Sequence, residues 1–334
     1  MIIMFERYLA DSAVIGSTFV TARDGSGLLM YSTYEGKHFL RSWDHFRTVD
    51  ETWLTAVGTM TANANLIRLK DGKLMMPVKL PSPIERVSKL GGADFAVLFS
   101  DDDGHTFHRP VRVNPVSGCY YVMNQRLMRT HTGRILLPIS QVPDELLNNT
   151  LESAGKAGCY YSDDEGQSWQ ESAWVKGESV DQLAEPIVVQ GKGTRLHMYM
   201  RTGVGYLYHS VSDDDGVHWS REQPTVLRSP CAPFNVQYDT FDDRFLAVWD
   251  NSFPGTVHQY PRSPICLAES RDGESWHMLC ELDANPSHGY GYPMIVPFKD
   301  EILITYYESP QRAFDSRSHR LKMKLLSREE CKMK

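Results

Sequence analysis

Glu185 and Arg201 stand at equal distances on either side of Gly193, in a stretch that enters through Glu185-Pro186-Ile187-Val188-Val189-Gln190 and leaves through Arg195-Leu196-His197-Met198-Tyr199-Met200-Arg201. Two apolar, β-rich runs meeting at Gly191-Lys192-Gly193 predict an antiparallel hairpin, and its symmetry sets the carboxylate beside the guanidinium at the open end. On an open surface such a cross-strand pair contributes well under about 1 kcal/mol. A second guanidinium, Arg262, precedes Ser263-Pro264-Ile265-Cys266-Leu267-Ala268, and two planar, permanently charged forks converging on one point suit a ligand carboxylate. Further on, Tyr290-Gly291-Tyr292-Pro293-Met294-Ile295 opens another strand with two phenols.

The elements that must position these groups announce themselves by repetition. Ser100-Asp101-Asp102-Asp103-Gly104-His105-Thr106-Phe107 returns as Ser162-Asp163-Asp164-Glu165-Gly166-Gln167-Ser168-Trp169 and as Ser212-Asp213-Asp214-Asp215-Gly216-Val217-His218-Trp219. Weaker copies begin at Ser42 and at Ser270, the latter one residue short. The period, roughly 50 to 62 residues, suits one four-stranded sheet with its connections. Within each copy Ser and Asp can bond the backbone of a tight turn, Gly supplies a positive φ and the aromatic anchors the turn. The pattern is therefore a structural hairpin signature, the Asp box, and the carboxylates of Asp102, Asp164 and Asp214 are not counted as catalytic. Strand, turn, strand units recur between the boxes, at 15–34, 63–80, 124–140, 185–201, 232–250 and 292–307. Six hairpins and five boxes predict an all-β, six-bladed β-propeller of four-stranded antiparallel blades, a single domain over residues 1–334. The sixth blade lacks a box, so an N-terminal strand near Arg7 to Val14 is expected to close it and remove a free edge.

Five Asp boxes across nearly the whole chain resemble the sialidase superfamily. Because such boxes specify fold better than chemistry, the matching of site residues is made position by position. In that family a Glu on one inner strand polarises a nucleophilic tyrosine, and an Arg on the next strand clamps the sugar carboxylate; the resemblance carries these roles to Glu185 and Arg201. Arg262 resembles a further carboxylate-binding arginine. The segment at Tyr292 is similar to the family's nucleophile segment, with Tyr290 in reserve. A neutral phenol suits this work, because a ketosidic carbon already bearing a carboxylate repels an anionic nucleophile. What the resemblance implies is an exo-acting, retaining glycoside hydrolase for a terminal acidic sugar, sialic acid or a related 2-keto acid, with no cofactor and no metal.

Two parts of the family pattern are missing. Where an Arg-Ile-Pro-like segment would supply a third arginine, the chain reads Val14-Ile15-Gly16-Ser17-Thr18-Phe19. Arg126, in Asn124-Gln125-Arg126-Leu127, and Lys79 are the substitutes considered, with Asn124 beside them as a ligand contact. The acid/base aspartate is also lacking; Glu35, in the loop before the first box, and Asp250, at the open end of the fifth hairpin, are its candidates. Without a general acid the same propeller could serve as a carbohydrate-binding protein, or run a β-elimination on a polysaccharide with Tyr as base and His258 or His288 as acid.

Composition narrows the partners. Of 334 residues 41% are hydrophobic, enough for a large core, and the net charge of −7 comes with no basic run, which argues against nucleic acid. The opening Met-Ile-Ile-Met-Phe-Glu-Arg is too short an apolar run for a signal peptide, and no stretch has the length of a membrane span. Six cysteines without C-x-x-C spacing signal neither zinc nor redox chemistry and favour reduced thiols, hence a cytoplasmic protein acting on a carbohydrate.

Overall fold

The computed structural model describes residues 3–11, 16–33, 35–55, 64–80, 93–142, 155–178, 180, 182–252, 262–310 and 318–329. These form six antiparallel sheets and contain no α-helix. Blades follow one another in chain order. Blade 1 runs Ser17–Thr21, Gly27–Ser32, Lys37–Ser42, Glu51–Thr55 from the inner edge outward, and blades 2, 4 and 5 repeat that order. In blade 3 the innermost strand is in two pieces, Cys119–Tyr121 and Met128–Arg129, both paired with Ile135–Val142. Blade 6 lies as His288–Pro297, Glu301–Pro310, Arg320–Ser327, with Ile3–Ala10 on its outer edge. The closing strand is thus formed by the start of the chain, as expected, but at Ile3–Ala10; the end of the expected span, from residue 12, lies outside the described residues. The sixth hairpin likewise begins at His288, earlier than its sequence signal at Tyr292.

Alternation is lost in the middle strands for a physical reason. Asp94–Ser100 and Arg244–Asp250 are buried at every position, because both faces of each blade pack on neighbouring blades, whereas the outer strand His108–Arg112 is mostly exposed. The core is accordingly six seams. Leu28, Met30, Phe39, Leu74 and Met76 join blades 1 and 2, and Leu29, Phe46, Met294, Leu303 and Met323 join blade 6 back to blade 1.

The boxes sit at the turn between third and fourth strands. In each of the five, Ser Oγ donates to Asp Oδ1 at 2.8–2.9 Å. The same Asp oxygen accepts the backbone N–H of Thr48, Thr106, Ser168 or His218, and in the shortened fifth copy that of Ser275. Burial by itself raises these carboxyls, yet the hydrogen bonds from the turn hold Asp102 and Asp164 below the ordinary carboxylate range. Gly104 is required twice over: its φ is +95°, and a Cβ there would lie 2.6 Å from the Phe39 ring of the preceding blade. In the first box Phe46 takes that place with φ 66°, and its fully buried ring fills the seam between blades 1 and 6. Arg47 next to it grips Glu301 of blade 6 with both guanidinium nitrogens, at 2.8 and 2.6 Å.

Candidate active site

Each inner strand begins at the same mouth of the channel and descends to its hairpin turn. The pairing of Ala184–Gln190 with Leu196–Arg201 differs by one residue from the symmetric reading: Arg201 faces Ala184, and the register then shifts before Ile187. Pro186 has no N–H to give the ladder, so the strand bulges there and Glu185 takes φ 49°. Blade 6 repeats the device. Pro293 interrupts the ladder between Gly291 and Met294, and Tyr292 takes φ 47°. A left-handed conformation in a non-glycine residue costs of the order of 1 kcal/mol and is unusual before proline, which normally favours extended backbone. Both residues are therefore held in that state by their surroundings.

The bulge swings Glu185 so that Oε1 accepts a hydrogen bond from Arg201 Nη1 at 2.8 Å, with both residues buried (7% and 5% exposed). Arg201 Nε also donates to Cys231 Sγ at 3.3 Å, and Glu185 Oε2 has no partner among the described residues. Burial works against the Arg201 charge, but Glu185 more than restores it, and the guanidinium holds its proton more tightly than usual. Tyr292 is half-buried, its ring 5.7 Å from the Tyr307 ring. Burial, reinforced by Glu185, pushes its phenol up to about 12 against the pull of Arg201, Arg262 and Arg126. Arg262 is buried, and its Nη1 donates to Tyr307 Oη at 2.7 Å. Asp250 ends the strand Arg244–Asp250; it is fully buried, and neither oxygen has a hydrogen-bond partner among the described residues. Burial keeps its carboxyl well above the usual range in spite of Arg262 and Arg201 nearby.

Glu185, Arg201, Arg262, Tyr292 and Asp250 are thus gathered at one place. The other sequence candidates are placed differently. Tyr290 is fully buried between blades 5 and 6, its hydroxyl accepting from Asn285 N at 3.2 Å and its ring against Tyr306, so it stands in the core and not at the mouth. Glu35 is exposed in the blade 1 turn, and its charge is felt by Tyr31 and His38, which stack at 4.8 Å. Lys79 lies at the end of Leu74–Leu80, where burial lowers its pKa and the neighbouring ionisable groups are Lys37 and Cys119. His258 lies outside the described residues, and His288 starts the inner strand of blade 6 opposite Pro310.

Where a first-blade arginine was sought, Gly16 and Ser17 come up against Asn124: a Cβ on Gly16 would be 2.9 Å from Asn124 Cβ. Asn124 and Arg126 lie on the crossing between the two inner-strand pieces of blade 3. Arg126 is buried, with Nη1 donating to Asn124 O at 2.9 Å and Nη2 to Phe234 O at 3.2 Å and Glu185 O at 3.4 Å. Both its terminal nitrogens face backbone carbonyls, which is not the posture of a ligand clamp. Above this crossing a cavity of about 160 Å³, lined by Tyr121, Met123, Ser140, Gln141, Glu185 and Arg201, opens beside the ion pair. Below it, a separate hollow of about 520 Å³ runs among Thr18, Ile67, Gln125, Val188 and Gln237. Tyr307 and Cys231 are neighbours of the site that the sequence did not single out. Tyr307 pairs with Gly291, whose missing side chain leaves room for its ring, and that glycine was the available signal.

A BNR repeat-like domain model matches residues 29–304. The chain belongs to the BNR repeat-like domain family. Solved structures show how this BNR chain relates to others of the same shape. A protein of unknown function from Dyadobacter fermentans is 16% identical, with a TM-score of 0.69 over 97% of this chain and 99% of that one. The Hadza microbial sialidase Hz136 is 17% identical, with a TM-score of 0.71 over 97% of this chain and 69% of that one. The intramolecular trans-sialidase of Ruminococcus gnavus, solved with oseltamivir carboxylate, is 15% identical, with a TM-score of 0.69 over 98% and 97%. The fold is therefore that of a sialidase-like BNR propeller.

Proposed function

We propose that this BNR propeller is an exo-acting, retaining glycoside hydrolase that releases a terminal acidic sugar, sialic acid or a related 2-keto acid. The observation that carries the reading is the meeting, on three blades, of a phenol at Tyr292, a half-satisfied carboxylate at Glu185 and two buried guanidiniums at Arg201 and Arg262. Arg201 and Arg262 take the sugar carboxylate. The Tyr292 oxygen then bonds to the anomeric carbon as the bond to the leaving oxygen breaks, its proton passes to Glu185 Oε2, and an acid protonates the leaving group. Water reverses the first step and releases the sugar with retention. A phenol with a pKa of about 12 is neutral at pH 7, so it approaches an anionic substrate without repulsion and needs the neighbouring base to react. Asp250, whose burial raises its carboxyl well above the usual range, supports the acid role; Glu35 is the exposed alternative.

A second reading, a propeller that binds an acidic saccharide without cleaving it, is favoured by one observation: Asn124 stands where a third arginine would enter. Release of a fluorogenic aglycone from an α-sialoside separates the two. For the hydrolase, Tyr292→Phe folds normally and loses at least about 10³-fold in kcat/KM. Saturable binding of the sialoside with no release, in wild type as in the variant, establishes the second reading. Unsaturated product from a uronate polymer overturns both.

A further inference from the structure

The crossing of blade 3 through the channel touches every other blade. Gln125 N donates to Ala64 O of blade 2 at 2.9 Å, and Asn65 Oδ1 accepts from Arg126 N and Leu127 N. Asn124 Nδ2 donates to Ser17 O of blade 1 at 3.1 Å and, in blade 6, to Tyr292 O at 3.3 Å and Pro293 O at 3.1 Å. Gln125 exchanges two hydrogen bonds with the backbone of Ile295 and accepts one from Asn235 of blade 5. Arg126 reaches Glu185 O of blade 4 and Phe234 O of blade 5, its guanidinium 5.7 Å from the Phe234 ring.

A structural plug needs carbonyls, but any carbonyl would serve. Two of those chosen belong to Glu185 and Tyr292, the very residues whose backbones take left-handed φ before a proline. Both residues lie where the register of their ladder shifts and have no Cα partner across it. The crossing answers both from a single tripeptide, so the orientation of one side chain is tied to that of the other.

We infer that Asn124 and Arg126 are positioning residues that together set the Glu185 carboxylate and the Tyr292 phenol against each other. The inference rests on the roles proposed above for Glu185 and Tyr292, and replaces a ligand-binding role for Asn124 and Arg126. Arg126 adds an electrostatic contribution. Its charge, which its hydrogen bonds share with backbone carbonyls, acts on both Glu185 and Tyr292, and at Tyr292 it is joined by Arg201 and Arg262.

The test uses Arg126→Met and Asn124→Ala in the full chain, with Arg126→Lys and Asn124→Ser carrying it where the first pair does not fold. Two readouts are taken: steady-state kinetics on the fluorogenic α-sialoside, and crystal structures of the folded variants. The clamp predicts that kcat falls about 100-fold while KM moves less than about threefold, with the lysine variant recovering part of the loss. It also predicts that Glu185 or Tyr292 leaves its left-handed φ while the blades stay in place. A purely structural plug predicts a lower Tm with kcat per folded molecule unchanged and both φ values kept, and that result overturns the inference. If the wild-type chain proves inactive on the sialoside, the proposed hydrolysis fails, and the backbone at Glu185 and Tyr292 still decides the clamp.

Discussion

Asp250 is the residue on which the proposed chemistry turns next, because a fully buried carboxyl whose two oxygens find no partner among the described residues is either a proton donor or a costly void in the hydrogen bonding. General acid catalysis depends on the leaving group, which gives a discriminating measurement. Asp250→Asn is expected to lose more than about 100-fold in kcat/KM on a sialoside of a sugar, and less than about 10-fold on one with an activated aryl leaving group. Glu35→Gln should change neither by more than about threefold; the reverse pattern makes Glu35 the acid. At this scale the sequence was informative where geometry is local. Equal spacing around Gly193 located the partnership of Glu185 with Arg201, since antiparallel pairing leaves few alternatives. The symmetric reading missed the one-residue shift, whose available sign was Pro186, a proline inside a strand pattern. Arg126 was harder. Whether a guanidinium meets a ligand or three carbonyls depends on blades 4 and 5, far along the chain.

At the scale of elements, the box turns were legible because Ser, Asp and Gly act within a few residues, whereas the seams they fill were not. Nothing near Phe46 announces that a phenyl ring replaces glycine to pack on blade 6. The split of the blade 3 inner strand is equally a product of the channel it crosses. The seam between blades 4 and 5 holds a pair of imidazoles: His197 Nδ1 and His209 Nε2 lie 3.0 Å apart, under Gly273 of the fifth box. Burial, with Arg195 nearby, holds His197 down at about 4, and burial together with His197 holds His209 at about 3. Both are neutral in the fold and take up protons near pH 6.5 when unfolded. The stability of the neutral pair is thus complete above pH 6.5 and is lost as pH falls towards 4. Thermal melts should show the difference in Tm between pH 7 and pH 4.5 shrinking by several degrees in His209→Gln relative to wild type. An unchanged difference means the pair is not a determinant of acid stability.

For the whole molecule, the count of hairpins and boxes was enough to give six blades, because a repeat that cannot bury its faces alone must stack on its neighbours. The closure was deduced by counting too, from the missing sixth box, and only its position needed correction. The strand Ile3–Ala10 covers the outer edge of blade 6, where Phe5 and Leu9 pack beside Leu321 and Met323. A chain begun after residue 10 should retain its other five blades, leave Arg320–Ser327 as an open edge and associate in solution, seen as concentration-dependent mass by light scattering. A monodisperse monomer of wild-type Tm would show that closure is dispensable. The same pairing has a consequence in time. Ile3–Ala10 leaves the ribosome five blades ahead of its partner Arg320–Ser327. At ordinary rates of synthesis the first strand waits on the order of tens of seconds, with its apolar side chains uncovered. Five blades can stack in that interval, but the ring has no complete sixth member until Arg320–Ser327 has been made. The cell must keep one strand of every nascent copy from pairing with another chain for as long as it takes to make the rest.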